Sequence, residues 1–254
     1  MDAIPQFNVT TAQAMTLTSP YGVCYATSST YPMNAAYRKG TSANGMYGIA
    51  VRIWSIIFAT MVNSQCNDYY PLTRTVVVGS EIRNLLKRFK AGSGGSTRSM
   101  YVDALRMYDN TTFHDRNGKP VQPFDDGTLV DDKLFQSRLI LSERYAELLR
   151  DHPREIPANY ITAISGALQL DLLMLAALYC PFDRMLIIRR ENFRKIIPAS
   201  SPSSLLRGQL QKHITALNKI QTEWVYRLKD HDLVIRPSTV LIKEQQAVVL
   251  QPVR

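Results

Sequence analysis

Apolar side chains fill residues 46–62 almost without a break, and the only charge among them is Arg52. A helix of that composition must be buried on most of its sides. It falls short of the roughly 20 residues needed to cross a bilayer, so a core helix is expected. The β-branched run over 73–78 then predicts a strand. Gly79 and Ser80 punctuate the chain, and Ser80 is expected to cap a helix over 81–90. In that helix Ile82, Leu85, Leu86 and Phe89 recur at three and four, while Arg83, Lys87, Arg88 and Lys90 fill the other face. The glycine-rich turn 91–95 ends it. Ser96 or Thr97 is expected to cap a second helix reaching about 109, packing through Met100, Ala104, Leu105, Met107 and Tyr108. Asn117-Gly118 offers a tight β-turn. A polar, acidic stretch over 124–128 precedes a strand expected over 134–141.

The second half runs through the same order. Ser142 caps a short helix over 143–151 that stops at His152-Pro153, and a connector covers 154–160. A second helix, apolar nearly all round, includes 167–179 and ends before Pro181. A strand follows at 185–188, a short amphipathic helix at 190–197 and a turn at 198–202. A long basic helix runs from 203 to about 223, and 225–235 reads as a hairpin with Lys229-Asp230-His231-Asp232 at its tip. Helix, strand, helix, turn, helix, hairpin is the order of a winged helix, a helix-turn-helix with a β-hairpin appended. The expected fold is therefore α+β, mainly helical, with tandem winged-helix domains over 46–141 and 142–254. Residues 1–45 are rich in Thr, Ser, Ala, Asn and Tyr without a sustained period, and read as an extended N-terminal arm.

Charge adds a direction to this frame. The 254 residues carry 30 Lys+Arg against 21 Asp+Glu, a net charge of +9 that favours an acidic partner. The excess sits on the two candidate modules. Residues 80–119 hold eight Lys/Arg against four Asp/Glu, and 182–236 hold eleven against five. Residues 120–157 carry more acid than base.

Catalytic signatures are missing. The four histidines, His114, His152, His213 and His231, are scattered, and no HExxH, phosphate-loop or GxSxG pattern occurs. The glycine-rich 92–95 segment is a turn that can also offer backbone amides to a DNA phosphate. Asp125-Asp126 and Asp131-Asp132 are paired carboxylates of a kind that can hold Mg²⁺, but their polar surroundings make them a solvated loop. Cys24, Cys66 and Cys180 are odd in number and far apart, which points to incidental thiols and a reducing cytoplasm. The opening residues show no basic segment followed by an apolar one, so a secretory leader is not expected. No enzyme activity, metal or cofactor is expected.

In a winged helix the N-terminal part of the second helix enters the major groove, while the hairpin touches the backbone. Arg207 and Gln209 are candidates for base edges, and Arg98 for a base edge or a phosphate. Ser96, Thr97, Ser203 and Ser204 are placed for phosphates, with Lys90 and Lys212 beside them. Arg116, Lys119, Arg227 and Lys229 are candidate wing contacts. The expected partner is double-stranded DNA, with no membrane involved.

The chain also resembles plasmid replication initiators of the RepA C-terminal type. Tyr47-Gly48, the apolar helix after it and Val76-Val77-Val78-Gly79 are similar to that family's opening block. Gly94-Gly95 and the basic helix that follows are similar to its turn and Arg-rich helix. The fullest match is Leu141-Ser142, Tyr145, Leu148 and His152-Pro153, followed by Ala163-Ile164 and Ala167-Leu168, Leu170-Asp171-Leu172. The resemblance covers about 45–240. It implies sequence-specific binding to repeated origin sites (iterons) and recruitment of host replication proteins. A homodimer is open as one state, with the 1–45 arm as one means of forming it. Three rival readings remain: a winged-helix transcriptional regulator, a metal-dependent nuclease, and a structural protein that binds nucleic acid without specificity.

Overall fold

A computed structural model describes residues 23–26, 35–37, 49–64, 66–89, 95–114, 119–151, 153–180, 185–192, 203–221, 223–238 and 247–249. The chain is a mixed α/β protein with small, mostly antiparallel sheets. It forms two compact units, Met1–Thr162 and Ala163–Arg254.

The first unit is built around α1 (Ile49–Asn63), whose residues 50–62 are all buried. The apolar run demands this, because no side of the helix can face water cheaply. Trp54 Nε1 donates to the Tyr101 carbonyl at 3.0 Å, which satisfies the one polar atom of the ring. Around Phe58 gather Trp54, Tyr108, Phe124 and Tyr145, with ring centroids 5.4–6.5 Å away, and Phe113 stacks on Tyr108 and Tyr145. Burial of each such ring is worth roughly 1.5–3 kcal/mol.

After α1 come β3 (Tyr69–Tyr70), β4 (Thr75–Val77), α2 (Ser80–Arg88) and α3 (Gly95–Asp109). The hairpin β5 (Thr111–His114) and β6 (Pro120–Val121) follows. A 3₁₀ turn, Leu134–Gln136, precedes β7 (Arg138–Ile140). Next are α4 (Glu143–Arg150), β8 (Arg154–Pro157) and α5 (Ala158–Ala163). Strand β4 lies between β3 and β7 in one antiparallel sheet.

Several expectations are corrected here. The N-terminal arm is not wholly separate: β1 (Val23–Ala26) pairs with β8, and β2 (Ala35–Tyr37) pairs with β5. The rest of 1–45 lies outside the described residues. The expected strand over 134–141 is a 3₁₀ turn followed by a three-residue strand, because Ser137 Oγ takes the Asp131 amide and bends the chain. The expected connector 154–160 holds β8 and the start of α5. The division between units falls after Thr162 and not after 141, because α4 packs on α1 and β8 joins β1.

Ser80 does not cap α2. The cap residue is Gly79, which has no side chain to offer. Asp68, in the turn after α1, accepts from the Ile82 amide at 2.9 Å instead. Glu81 reaches back to accept from the Asn67 amide at 2.8 Å. Asp68 thus satisfies an amide that a local cap would have satisfied, and Glu81 in return ties the start of α2 to the turn that carries Asp68. By contrast, Ser142 caps α4 as expected, accepting from the Tyr145 amide at 3.1 Å.

The second unit holds α6 (Ala167–Tyr179), β9 (Met185–Ile188), a 3₁₀ turn Arg190–Asn192, α7 (Ser203–Ile220), β10 (Trp224–Lys229), β11 (Asp232–Pro237) and β12 (Ala247–Val249). Residues 193–197 of the expected short helix lie outside the described residues. Residues 169–177 of α6 are all buried. The sheet order is β10-β11-β9-β12, with β11 antiparallel to both neighbours and β12 parallel to β9.

Candidate nucleic-acid interface

Helix α7 has two faces. Leu210, Ile214 and Leu217 form its buried stripe, spaced four and three apart. Lys212, Thr215 and Lys219 are exposed on the opposite face. Its first turn contains no acidic residue, and neither does that of α3. The positive ends of both helix dipoles are therefore left without a competing carboxylate from their own first turn.

The hairpin after α7 is fixed to it by two side-chain amides. The Tyr226 amide donates to Asn218 Oδ1 at 3.0 Å, and Asn218 Nδ2 donates to the Tyr226 carbonyl at 3.0 Å. One turn on, the Trp224 amide donates to Gln221 Oε1 at 2.8 Å, and Gln221 Nε2 donates to the Trp224 carbonyl at 2.7 Å. Trp224 Nε1 then donates to the Cys180 carbonyl at 3.0 Å, and the Tyr226 hydroxyl to the Leu172 carbonyl at 3.4 Å. Gln221, Trp224 and Tyr226 are buried, while Asn218 stands at the surface with its two bonds partly sheltered. They set the position of the hairpin against α6 and α7. The turn Asp230-His231 has both φ values positive, 51° and 75°, the backbone of a two-residue type I′ hairpin. Arg227 and Lys229 are exposed on β10.

In the first unit, Arg98 is exposed on the first turns of α3. Its guanidinium lies over the Phe135 ring, 5.5 Å from the centroid. Arg83, exposed on α2, lies over the same ring at 4.4 Å. Among the described residues neither guanidinium has a carboxylate partner. The nearby acids are engaged elsewhere. Arg106 pairs with Asp103 at 3.2 Å and also with Asp132. Asp131 accepts from the Lys133 amide at 2.6 Å. Asp125 pairs with Arg74 at 3.1 Å.

Of the residues expected at the interface, Lys212, Arg227 and Lys229 share the α7 and hairpin part of the second unit. Ser203, Ser204, Arg207 and Gln209 belong to α7 by position. Ser96 and Thr97 stand in the first turn of α3, not at its cap, since the helix begins at Gly95. Lys119 is exposed beside β6. Lys90 and Arg116 lie outside the described residues, as do the glycine-rich residues 91–94. Met100, expected to pack, is 41% exposed, while its neighbours Tyr101 and Val102 are buried. Arg83, Phe135, Asn218 and Gln221 are absent from the expected set. For Asn218 and Gln221, a pair of amides at i and i+3 just before a β-rich run was the available signal.

Reactive groups are sparse. Burial pushes the Cys180 thiol up to about 12 and the Cys66 thiol upward as well, so both stay protonated at neutral pH. Burial lowers the pKa of His213, on α7, below its ordinary value. Among the described residues no group of three His, Cys, Asp or Glu is placed to hold a metal ion. No helix among them is long and apolar enough to cross a membrane. No protein-family model matches the chain, and no curated protein matches it.

Proposed function

We propose that the chain is a sequence-specific DNA-binding protein of the replication-initiator kind. It binds repeated origin sites through winged-helix modules and recruits host replication proteins, without covalent catalysis. The observation that carries this reading is the second unit's topology. An apolar helix, a strand, a short turn, a basic helix and a hairpin come in that order, and the first strand pairs antiparallel with the second hairpin strand, giving β9-β11-β10. That order supports reading the unit as a helix-turn-helix with one wing, β12 being an added strand beside β9. Lys212 on α7 and Arg227 and Lys229 on the hairpin are exposed, and in this reading they meet the groove and the backbone.

The first unit runs in a similar order, with an added strand β3 and the helix α2 where the second has a 3₁₀ turn, and with a different pairing. Its hairpin β5–β6 is extended by β2, while β4 pairs with β3 and β7. The wing of this module would thus be braced by the N-terminal segment.

Footprinting over the DNA beside the chain's own gene tests the reading. Protection of directly repeated sequences is the expected result. Protection of a palindrome at a promoter would make the chain a transcriptional regulator with the same parts, and no protected sequence would overturn specific binding.

A further inference from the structure

The geometry points to Arg83, Arg98 and Phe135 as a phosphate clamp in the first unit, which takes the diester backbone of nucleic acid. The inference rests on the DNA-binding reading and assigns Arg98 a partner other than a base edge. Three separate elements converge on it: α2 brings Arg83, α3 brings Arg98, and the 3₁₀ turn Leu134–Gln136 brings the ring. Both guanidiniums lie over the one ring, 4.4 and 5.5 Å from its centroid, and the π system attracts each of them without neutralising its charge. A carboxylate would have consumed the charge, and the acids close by in sequence are bound to Arg106 or to backbone. Stacking also restricts both side chains, so less freedom is lost when an anion arrives. Lys87, exposed one turn along α2 from Arg83, adds a third positive charge. A guanidinium presents parallel N–H donors that match two oxygens of a phosphate. Two of them on one ring define a site for one phosphate or two adjacent ones, with no means of reading a base.

The test uses the full chain and three variants, R83Q, R98Q and F135L. The last removes the ring and keeps every charge. Affinity is measured for a repeat-containing duplex and a scrambled one across a salt series, and thermal stabilisation by inorganic pyrophosphate is measured in parallel. Each Arg variant should weaken both duplexes alike, on the order of tenfold, and lower the salt slope by about 1. F135L should weaken both by a few fold, roughly the value of the lost cation–π contacts. Loss of pyrophosphate stabilisation with duplex binding unchanged would keep the anion clamp and overturn nucleic acid as its ligand. Unchanged duplex affinity and unchanged pyrophosphate response in all three variants would overturn the clamp, while a preserved preference for the repeats would leave the DNA-binding reading standing. Loss of specificity only, with the scrambled duplex unaffected, would overturn it in favour of base reading.

Discussion

A β-carbon on Gly79 would lie 2.2 Å from a carboxylate oxygen of Asp68. The φ of Gly79 is −93°, so the backbone itself would accept any residue; only space forbids one. The carboxylate cannot retreat without releasing the Ile82 amide that it holds. Gly79→Ala should therefore destabilise the first unit by about 1–3 kcal/mol, the usual cost of overpacking, read by urea unfolding. A loss below about 0.5 kcal/mol would show that Asp68 moves freely. His213 supplies the pH dependence at this scale. Burial lowers its folded pKa, so the unfolded chain takes up a proton first as pH falls. Stability of the second unit should be full above the ordinary histidine value of about 6.5 and fall as pH drops from there toward the lowered folded value. Trp54 is replaced by Phe so that Trp224 alone reports the transition, and His213→Gln should flatten the pH dependence over that range. An equal dependence in the variant would place its cause elsewhere.

At the scale of elements, the hairpin turn and its attachment make separate predictions. Asp230 and His231 both adopt positive φ, which costs a residue with a β-carbon and costs glycine little. His231→Gly should stabilise the second unit by roughly 0.5–1 kcal/mol in thermal unfolding, and destabilisation would mean that the His231 side chain makes contacts worth more than the strain. Asn218 makes two hydrogen bonds to the Tyr226 backbone, one as donor and one as acceptor. Asn218→Ala should cost about 1–3 kcal/mol and should also weaken duplex binding by releasing the hairpin. Unchanged affinity would separate the hairpin from the interface.

These elements also show what the sequence made legible. The helices at 49–63 and 167–179 were readable because an unbroken apolar run has one physical solution, burial. The strand at 185–188 and the hairpin tip at 229–232 were readable because short β-branched runs and a two-residue turn are local signals. The cap of α2 was not, because Asp68 comes from another element and Ser80 offers a plausible local substitute. The bend at 134–137 depends on the bond between Ser137 and Asp131, which alternation does not encode. Of the candidate site, the exposed cations Lys212, Arg227 and Lys229 follow from helical and strand periods. The pairing of Arg83 with Arg98 over Phe135 does not, since the three residues come from separate elements and meet only through the tertiary fold. The residues on which the resemblance is read from the sequence are structural ones: Ser142 is a cap, and Tyr145, Leu148, Leu170 and Asp171 are buried. Those positions specify packing.

For the whole molecule, the distribution of charge decides what it can bind. The chain carries +9, and its acids are concentrated in 120–157, where Asp125, Asp131 and Asp132 bind residues of the same unit. Arg83 and Lys87 on α2, Arg98 on α3, Lys212 and Lys219 on α7, and Arg227 and Lys229 on the hairpin are exposed. If α7 is the base-reading helix, Arg207→Ala should cost roughly 1–3 kcal/mol of binding to the preferred site and much less on scrambled DNA. Equal losses on both would make Arg207 a phosphate contact. The most direct measurement is a salt series of binding by the full chain to the repeats beside its own gene, against scrambled duplex of equal length. Specific recognition predicts a preference for the repeats that persists at physiological salt, on a background that weakens with salt for both duplexes. Equal affinity for the two duplexes, falling steeply as salt rises, would mean that charge alone binds the DNA and would contradict the account.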